Sequence, residues 1–214
     1  MEINIVQPLY QQVYREFKKL ILTGQIPPGE KIVMSKLAEQ YKISRTPLRE
    51  ALRQLQNEGL ITQDHSIMKV VELNKNDFLE LCHCRLVLEK EVVRLMVNEI
   101  TKDALEKVYE VLMKSKQAIE DGDSFKVLEL NAQFHELLII NCSNQHLVQL
   151  LDHTRSLLLI YRAKINKKPQ YNLEIFQEHL KLFEAIKSRD IDQSVLEVES
   201  HLLNDQKRGL DFFQ

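Results

Sequence analysis

Glycine and proline are scarce, five of each in 214 residues, which excludes collagen-like and low-complexity chains and leaves long helices few breakers. Cysteine numbers three, Cys82, Cys84 and Cys142. An odd count in a chain of this length does not build a disulfide framework, so all three are read as reduced thiols, and Cys82 and Cys84 as packing residues. Cys82, His83 and Cys84 do not form a compact zinc site, because alternate residues on a helix diverge by about 200°. No apolar run approaches the ~20 residues of a membrane span, and the opening stretch MEINIVQPLYQQ lacks the basic and apolar regions of a signal peptide. A cytoplasmic protein with no membrane partner is expected.

What is present suffices for a core: 44% of residues are hydrophobic against 28% charged, and the length suits one large or two small domains, with two the working count. The net charge of −2 hides an asymmetry. Residues 1–70 carry 10 Lys and Arg against 7 Asp and Glu, leaving 19 against 24 for the rest. The N-terminal end is therefore the one suited to a polyanion, although so mild a bias needs support from position.

Leu9, Val13, Phe17, Leu20 and Ile21 follow helical spacing up to Gly24 and the Pro27-Pro28-Gly29 turn. After a connector, Glu30 to Met34, Ser35 is placed to cap a short helix over Lys36 to Tyr41. Ser44 caps a third helix with Pro47 in its first turn. Leu48, Ala51, Leu52 and Leu55 form the buried stripe of that third helix, which Gly59 ends. Leu60 to Gln63 and Met68 to Leu73 then read as a hairpin. From Asn74 onward the pattern is helical without strand alternation, and six helices are expected over 74–99, 102–121, 124–141, 145–166, 173–188 and 191–210.

The apolar stripe of the third helix leaves Arg45, Thr46, Arg49 and Arg53 outside, with the arginines at i, i+4 and i+8. Such a face, entered at its N-terminal end, presents guanidinium forks to guanine edges or phosphates, aided by the helix dipole. The alternative is a solvated basic face on an ordinary helix. The segment ILTGQIPPGEKI followed by SKLAEQYKISRTPLREALRQLQNEGLI resembles the GntR family of transcription regulators, and the match runs from Tyr10 through Leu60. The resemblance implies a winged helix-turn-helix over residues 1–73. Its Ser44 to Glu58 helix would enter the major groove of double-stranded operator DNA, with Ser44, Arg45, Thr46 and Arg49 at the operator, Arg53 on phosphate one turn away, and Lys31 near phosphate. Asp64-His65-Ser66-Ile67 stands where such wings usually carry a glycine. His65 is a minor-groove candidate or a plain turn residue. Because one recognition helix spans only a few base pairs, a homodimer on a two-fold site is expected.

In the helical part, His135, His179 and His201 fall among apolar neighbours at 3 and 4 spacing, a way to build a metal site inside a bundle. A single inward histidine is more often a hydrogen-bonded core residue, and His153, between Leu150 and Leu157, is read as one. Arg85 lies four before Glu89 on one face, so that Arg85 forks an effector carboxylate oriented by Glu89, or the two form an intrahelical salt bridge. Residues 74–210 resemble the FCD-type ligand domain of one GntR branch, through Arg85 with Glu89, Asn131-Ala132-Gln133-Phe134-His135, Glu178-His179, and His201. The resemblance implies an all-α bundle over 74–214 that senses a small molecule, a carboxylate effector by this reading. It also implies a divalent metal (zinc, nickel or manganese) on Asn131, His135, His179 and His201. Asn131 stands where the family places an aspartate, and an amide contributes no charge to a cation. The expected protein is mainly α and not an enzyme. Two other readings share the same residues: a metal-dependent hydrolase-like helical domain, and a structural DNA-binding dimer without effector.

Overall fold

Val13, Phe17 and Ile21 recur along one side of α1 (Leu9–Leu22) and are buried there, whereas Leu9, expected in the same stripe, is exposed at the first turn. The computed structural model describes residues 8–72, 74–165 and 168–213, and the chain divides into two compact units, Met1–Leu73 and Asn74–Gln214. In the first, α1 is followed by β1 (Lys31–Ile32), α2 (Met34–Gln40), α3 (Arg45–Asn57), β2 (Ile61–Asp64) and β3 (Ile67–Val70). The strands form one antiparallel sheet in the order β1-β3-β2, with Ile32 opposite Met68 and Thr62 opposite Lys69.

Two sequence expectations need correction here. The stretch expected as a connector contains β1, and α2 starts at Met34 with Val33 at its cap position, so Ser35 lies inside the first turn instead of capping. The cause is the pairing of β1 with β3. It buries Ile32 and holds Val33 extended, and the helix begins directly after it. The α3 stripe is as expected: Leu48, Ala51, Leu52 and Leu55 are all buried. Tyr14 and Lys18 of α1 both bond the Glu58 carboxylate at the end of α3, Lys18 at 2.8 Å, which fixes α3 against α1. At the wing tip His65 has φ +53°, the left-handed region that a glycine occupies without the ~1–2 kcal/mol penalty of a side chain.

The second unit consists of α4 (Lys75–Met96), α5 (Lys102–Glu120), α6 (Ser124–Ile139), α7 (Gln145–Ile165), α8 (Pro169–Lys187) and α9 (Ile191–Leu210). Asn74, Thr101, Asp123 and Asp190 each accept a backbone N–H from the first turn of the following helix, satisfying donors that have no partner within it. α8 begins at Pro169, four residues before the expected start, because proline at the first helical position loses nothing by lacking an N–H. Val92, Met96, Val108, Leu112, Phe134, Leu151, Leu182, Ile186 and Val198 belong to one apolar core. α7 also departs from expectation: His153 and Leu150 are exposed, and the inward face is Leu151, Thr154, Arg155, Leu158, Arg162 and Ile165. Of the cysteines only Cys142 is buried; Cys82 is half-buried and Cys84 exposed, which corrects the reading of Cys84 as a packing residue and leaves Cys82 only partly so.

Phe78 on α4 packs against Tyr161 and Phe213 with ring centroids 4.9 and 5.8 Å away. The tip of its ring also points at Gly209, where an added Cβ would come within 2.1 Å of Phe78 Cζ. Gly209→Ala should therefore lower stability by about 1–3 kcal/mol in urea unfolding. Leu196→Ala, on an exposed position of the same helix, should change it by ~0.5 kcal/mol or less. Equal effects would show that Phe78 has room to move.

Candidate functional site

The N-terminal end of α3 presents Ser44, Arg45, Thr46 and Arg49 to solvent, with Arg53 exposed one turn farther on. Ser44 occupies the cap position, but its hydroxyl makes no bond to the helix, and the first turn contains no acidic residue. Among the described residues none of the three arginines has an ion-pair partner, whereas Lys18 in the same unit is tied to Glu58. Lys31 is exposed on β1 opposite Lys69, a cation that the sequence reading did not single out. His65 is exposed at the turn between β2 and β3, with Nδ1 2.7 Å from Asp64. Cationic side chains without internal partners, at the positive end of a helix dipole, suit a polyanion.

The second unit has a buried polar centre to which five helices contribute. His135 of α6, His179 of α8 and His201 of α9 point their Nε2 atoms at one another, His135 to His179 at 3.2 Å and His179 to His201 at 3.3 Å. All three are about 1% exposed, so these are interior groups. Carboxylates stand behind two of the rings: Glu89 Oε1 of α4 is 2.5 Å from His135 Nδ1, and Glu178 Oε2 of α8 is 2.8 Å from His201 Nδ1. For His201, a proton on Nδ1 held by Glu178 leaves Nε2 as the lone-pair nitrogen facing the centre, whereas His135 Nδ1 is near Glu89 without hydrogen-bond geometry. Burial holds the His135 and His179 imidazoles well below their usual range, and they are neutral at pH 7. The sequence reading gave a cation the three histidines and the uncharged Asn131; the structure adds the carboxylates of Glu89, Glu178 and Asp205 around the histidines.

Asn131, one turn before His135, is buried with its Oδ1 accepting from Ser115 at 3.4 Å. Arg85 and Glu89 are bonded to each other, Nε to Oε2 at 3.0 Å, and Arg85 Nη1 also bonds Asp205 Oδ2 at 3.0 Å. Arg85 Nη2 is buried without a hydrogen-bond partner among the described residues. Burial would raise the Glu89 carboxyl, but His135 and Arg85 outweigh it and hold it well below the usual carboxylate range. Asp205 is held low in the same way, by His201 and Arg85. Arg208 bonds both oxygens of Glu178, at 2.9 and 2.7 Å, and Asp205 at 2.8 Å. An open groove of about 500 Å³ between α8 and α9 has Glu178, His201 and Arg208 in its lining.

Asp205, Arg208, Arg155 and Arg162 were not singled out from sequence. The signal for Asp205 was its position one turn after His201. For the arginines it was a separation of seven residues, which puts two side chains on one helical face. Arg155 is pushed down to about 10 by burial, and Arg162 to about 9 by burial together with Arg85 and Arg155.

Comparison with known proteins agrees with this geometry in each half. Residues 9–66 match the model described as "Bacterial regulatory proteins, gntR family", and residues 80–204 match the FCD domain. The chain is 32% identical over 201 residues to the HTH-type transcriptional regulator YdhC of Bacillus subtilis (strain 168), covering 92% of this chain and 89% of that one. It is 28% identical to the gluconate operon transcriptional repressor of Bacillus licheniformis, over 83% of this chain and 75% of the relative. Among solved structures, E. coli McbR/YncC superposes with a TM-score of 0.82 at 23% identity, covering 98% of this chain and all of that one, which is a likeness of fold. The three-histidine centre thus lies in the portion matching the FCD domain and the arginine face in the portion matching the gntR model, and the chain belongs to the GntR family of transcriptional regulators, in the branch with an FCD ligand-binding domain.

Proposed function

We propose that this regulator binds its operator as a homodimer through Lys31, Ser44, Arg45, Thr46, Arg49, Arg53 and the His65 wing tip. In this reading the helical unit binds a divalent cation together with a carboxylate effector, and the effector sets operator affinity. The observation that carries the second half is the meeting of the three Nε2 atoms. Separations of 3.2 and 3.3 Å match three nitrogens around one ion with bonds of ~2.0–2.1 Å, and Glu178 fixes the ring of His201 by its outer nitrogen. Zinc, nickel and manganese all accept imidazole, and when bound the cation would polarise and hold an oxygen of the effector. Asn131 remains a neutral fourth partner, and the nearby carboxylates supply charge. Arg85 retains Nη2 for an effector oxygen. Glu89, Glu178 and Asp205 are each engaged by an arginine, and a carboxylate so engaged is a poor base for activating water. This favours a sensor over a hydrolase.

For the signal to travel, the effector must have different affinity for the DNA-competent and incompetent arrangements of the chain.

Arg49→Ala and Arg45→Ala should each weaken operator binding by ~1–3 kcal/mol without affecting folding. Arg53→Ala should instead lower the slope of affinity against salt by about one phosphate contact. Isotherms that overlay the parent at equal salt would remove the residue from the interface. Calorimetric titration of zinc, nickel and manganese should show binding to the parent, loss of most of it in His179→Ala, and tightening in Asn131→Asp. Three identical titrations, or none with binding, would reduce the histidines to core residues.

A further inference from the structure

The peptide between residues 73 and 74 joins the two units of the chain, and its N–H is engaged from far away in the sequence. Asn74 N donates to the hydroxyl of Tyr161 on α7 at 3.1 Å, across 87 residues. The same hydroxyl donates its one proton to the Asn74 carbonyl or to Asp77 Oδ2, both at 3.1 Å. One oxygen thus holds both backbone polar groups of Asn74. Capping does not require this, because the Asn74 side chain already accepts from the Asn76 and Asp77 N–H groups. Tyr161 is 5% exposed, with Phe78 and Phe213 against its ring at centroid distances of 4.9 and 6.0 Å. A buried phenol hydroxyl needs a hydrogen-bond partner, and this one takes the residue at which the helical unit begins.

Two covalent neighbours connect this clamp to the polar centre. Arg162, the residue after Tyr161, is buried and lines a small cavity with Asn131 and Asp205. Gly209, at the tip of the Phe78 ring, follows Arg208, which bonds Asp205 and Glu178. Among the described residues no carboxylate lies at ion-pair distance from Arg162, whereas Arg85 and Arg208 are each paired. A divalent cation at the three histidines therefore repels Arg162 with little compensation. A close-packed helix answers such a push by moving as a body. Hydrogen bonds that start at 3.1 Å are lost after a shift of ~1 Å.

We propose that the Tyr161 hydroxyl is a latch on the Asn74 peptide, and that a divalent cation at the histidine centre releases it by displacing Arg162 and with it α7. This rests on the reading of the histidines as a cation site and says how that site is felt where the chain passes to the DNA-binding unit. Release returns to the connecting chain the rotations about Asn74 that the clamp removes. Tyr161 is a positioning residue in this scheme, touching neither cation nor DNA.

The test is amide hydrogen exchange on the full chain, with zinc and with EDTA, for the parent and Tyr161→Phe, accompanied by calorimetric zinc titration and thermal unfolding of both. The readouts are the amides of Asn74 and of Val71, the latter bonded to the Leu60 carbonyl at 3.1 Å within the first unit. Zinc should speed exchange at Asn74 by about fivefold or more in the parent and change that at Val71 by about twofold or more. Tyr161→Phe keeps the ring and loses only the hydroxyl. Its Asn74 amide should exchange fast in both conditions and its Val71 amide should ignore zinc, while its zinc affinity stays within about threefold of the parent's. A merely structural tyrosine would lower the melting temperature on substitution without altering the response of Val71 to zinc. Zinc uptake by the parent with no change at Asn74 or at Val71, a result that does not depend on the variant, overturns the latch and leaves the cation site standing. A Val71 response preserved in Tyr161→Phe does the same. A parent that takes up no zinc overturns the cation reading and the latch with it.

Discussion

Asp205 is gripped from two sides, by Arg85 of α4 and by Arg208 of its own helix, and the layout of the ligand-binding domain follows from that contact. A carboxylate shared by two guanidiniums in the interior ties α4 to α9. Through Arg208 it reaches Glu178 on α8, and through Glu178 the ring of His201. On the other side Arg85 passes to Glu89, and Glu89 to His135. One connected chain of charge-assisted contacts thus reaches two of the three histidines at their outer nitrogens. Such a network is rigid only while every member is satisfied, since in a low-dielectric interior an unpaired member costs more than a bond contributes.

The N-terminal unit solves a simpler problem, presenting one helix end without engaging it. Leu48, Ala51, Leu52 and Leu55 are buried completely, and Glu58 anchors the far end to Tyr14 and Lys18. Fixing α3 at its C-terminal end leaves the N-terminal arginines unpaired and the first-turn N–H groups directed outward. The β1–β3–β2 sheet holds the wing by short pairing, and the tip accepts the strain of a histidine in a left-handed conformation.

Much of this was legible in the sequence because it is periodic. The α3 stripe, the hairpin and most helix limits follow from apolar spacing and capping residues, and the three histidines were found because they interrupt apolar stripes at helical intervals. What stayed hidden are features that defeat periodicity. On α7 the inward positions are occupied by Arg155 and Arg162, while Leu150 lies outside, so a hydrophobicity pattern rotates the helix wrongly and sends His153 inward. β1 is two residues long and exists only because β3 lies beside it, a pairing that local sequence does not encode. Arg85 and Glu89 were correctly put on one face, but their third partner, Asp205, is 120 residues away along the chain and invisible to spacing.

The ring of His179 lies nearly parallel to Phe134, with centroids 4.3 Å apart and planes 15° from parallel, inside the packed core. A ring stacked in this way cannot rotate about its bonds unless Phe134 withdraws first, and the core admits that only when helices part briefly. His179 is therefore held in one orientation by the core, and its inner nitrogen faces the other two histidines without first having to be turned.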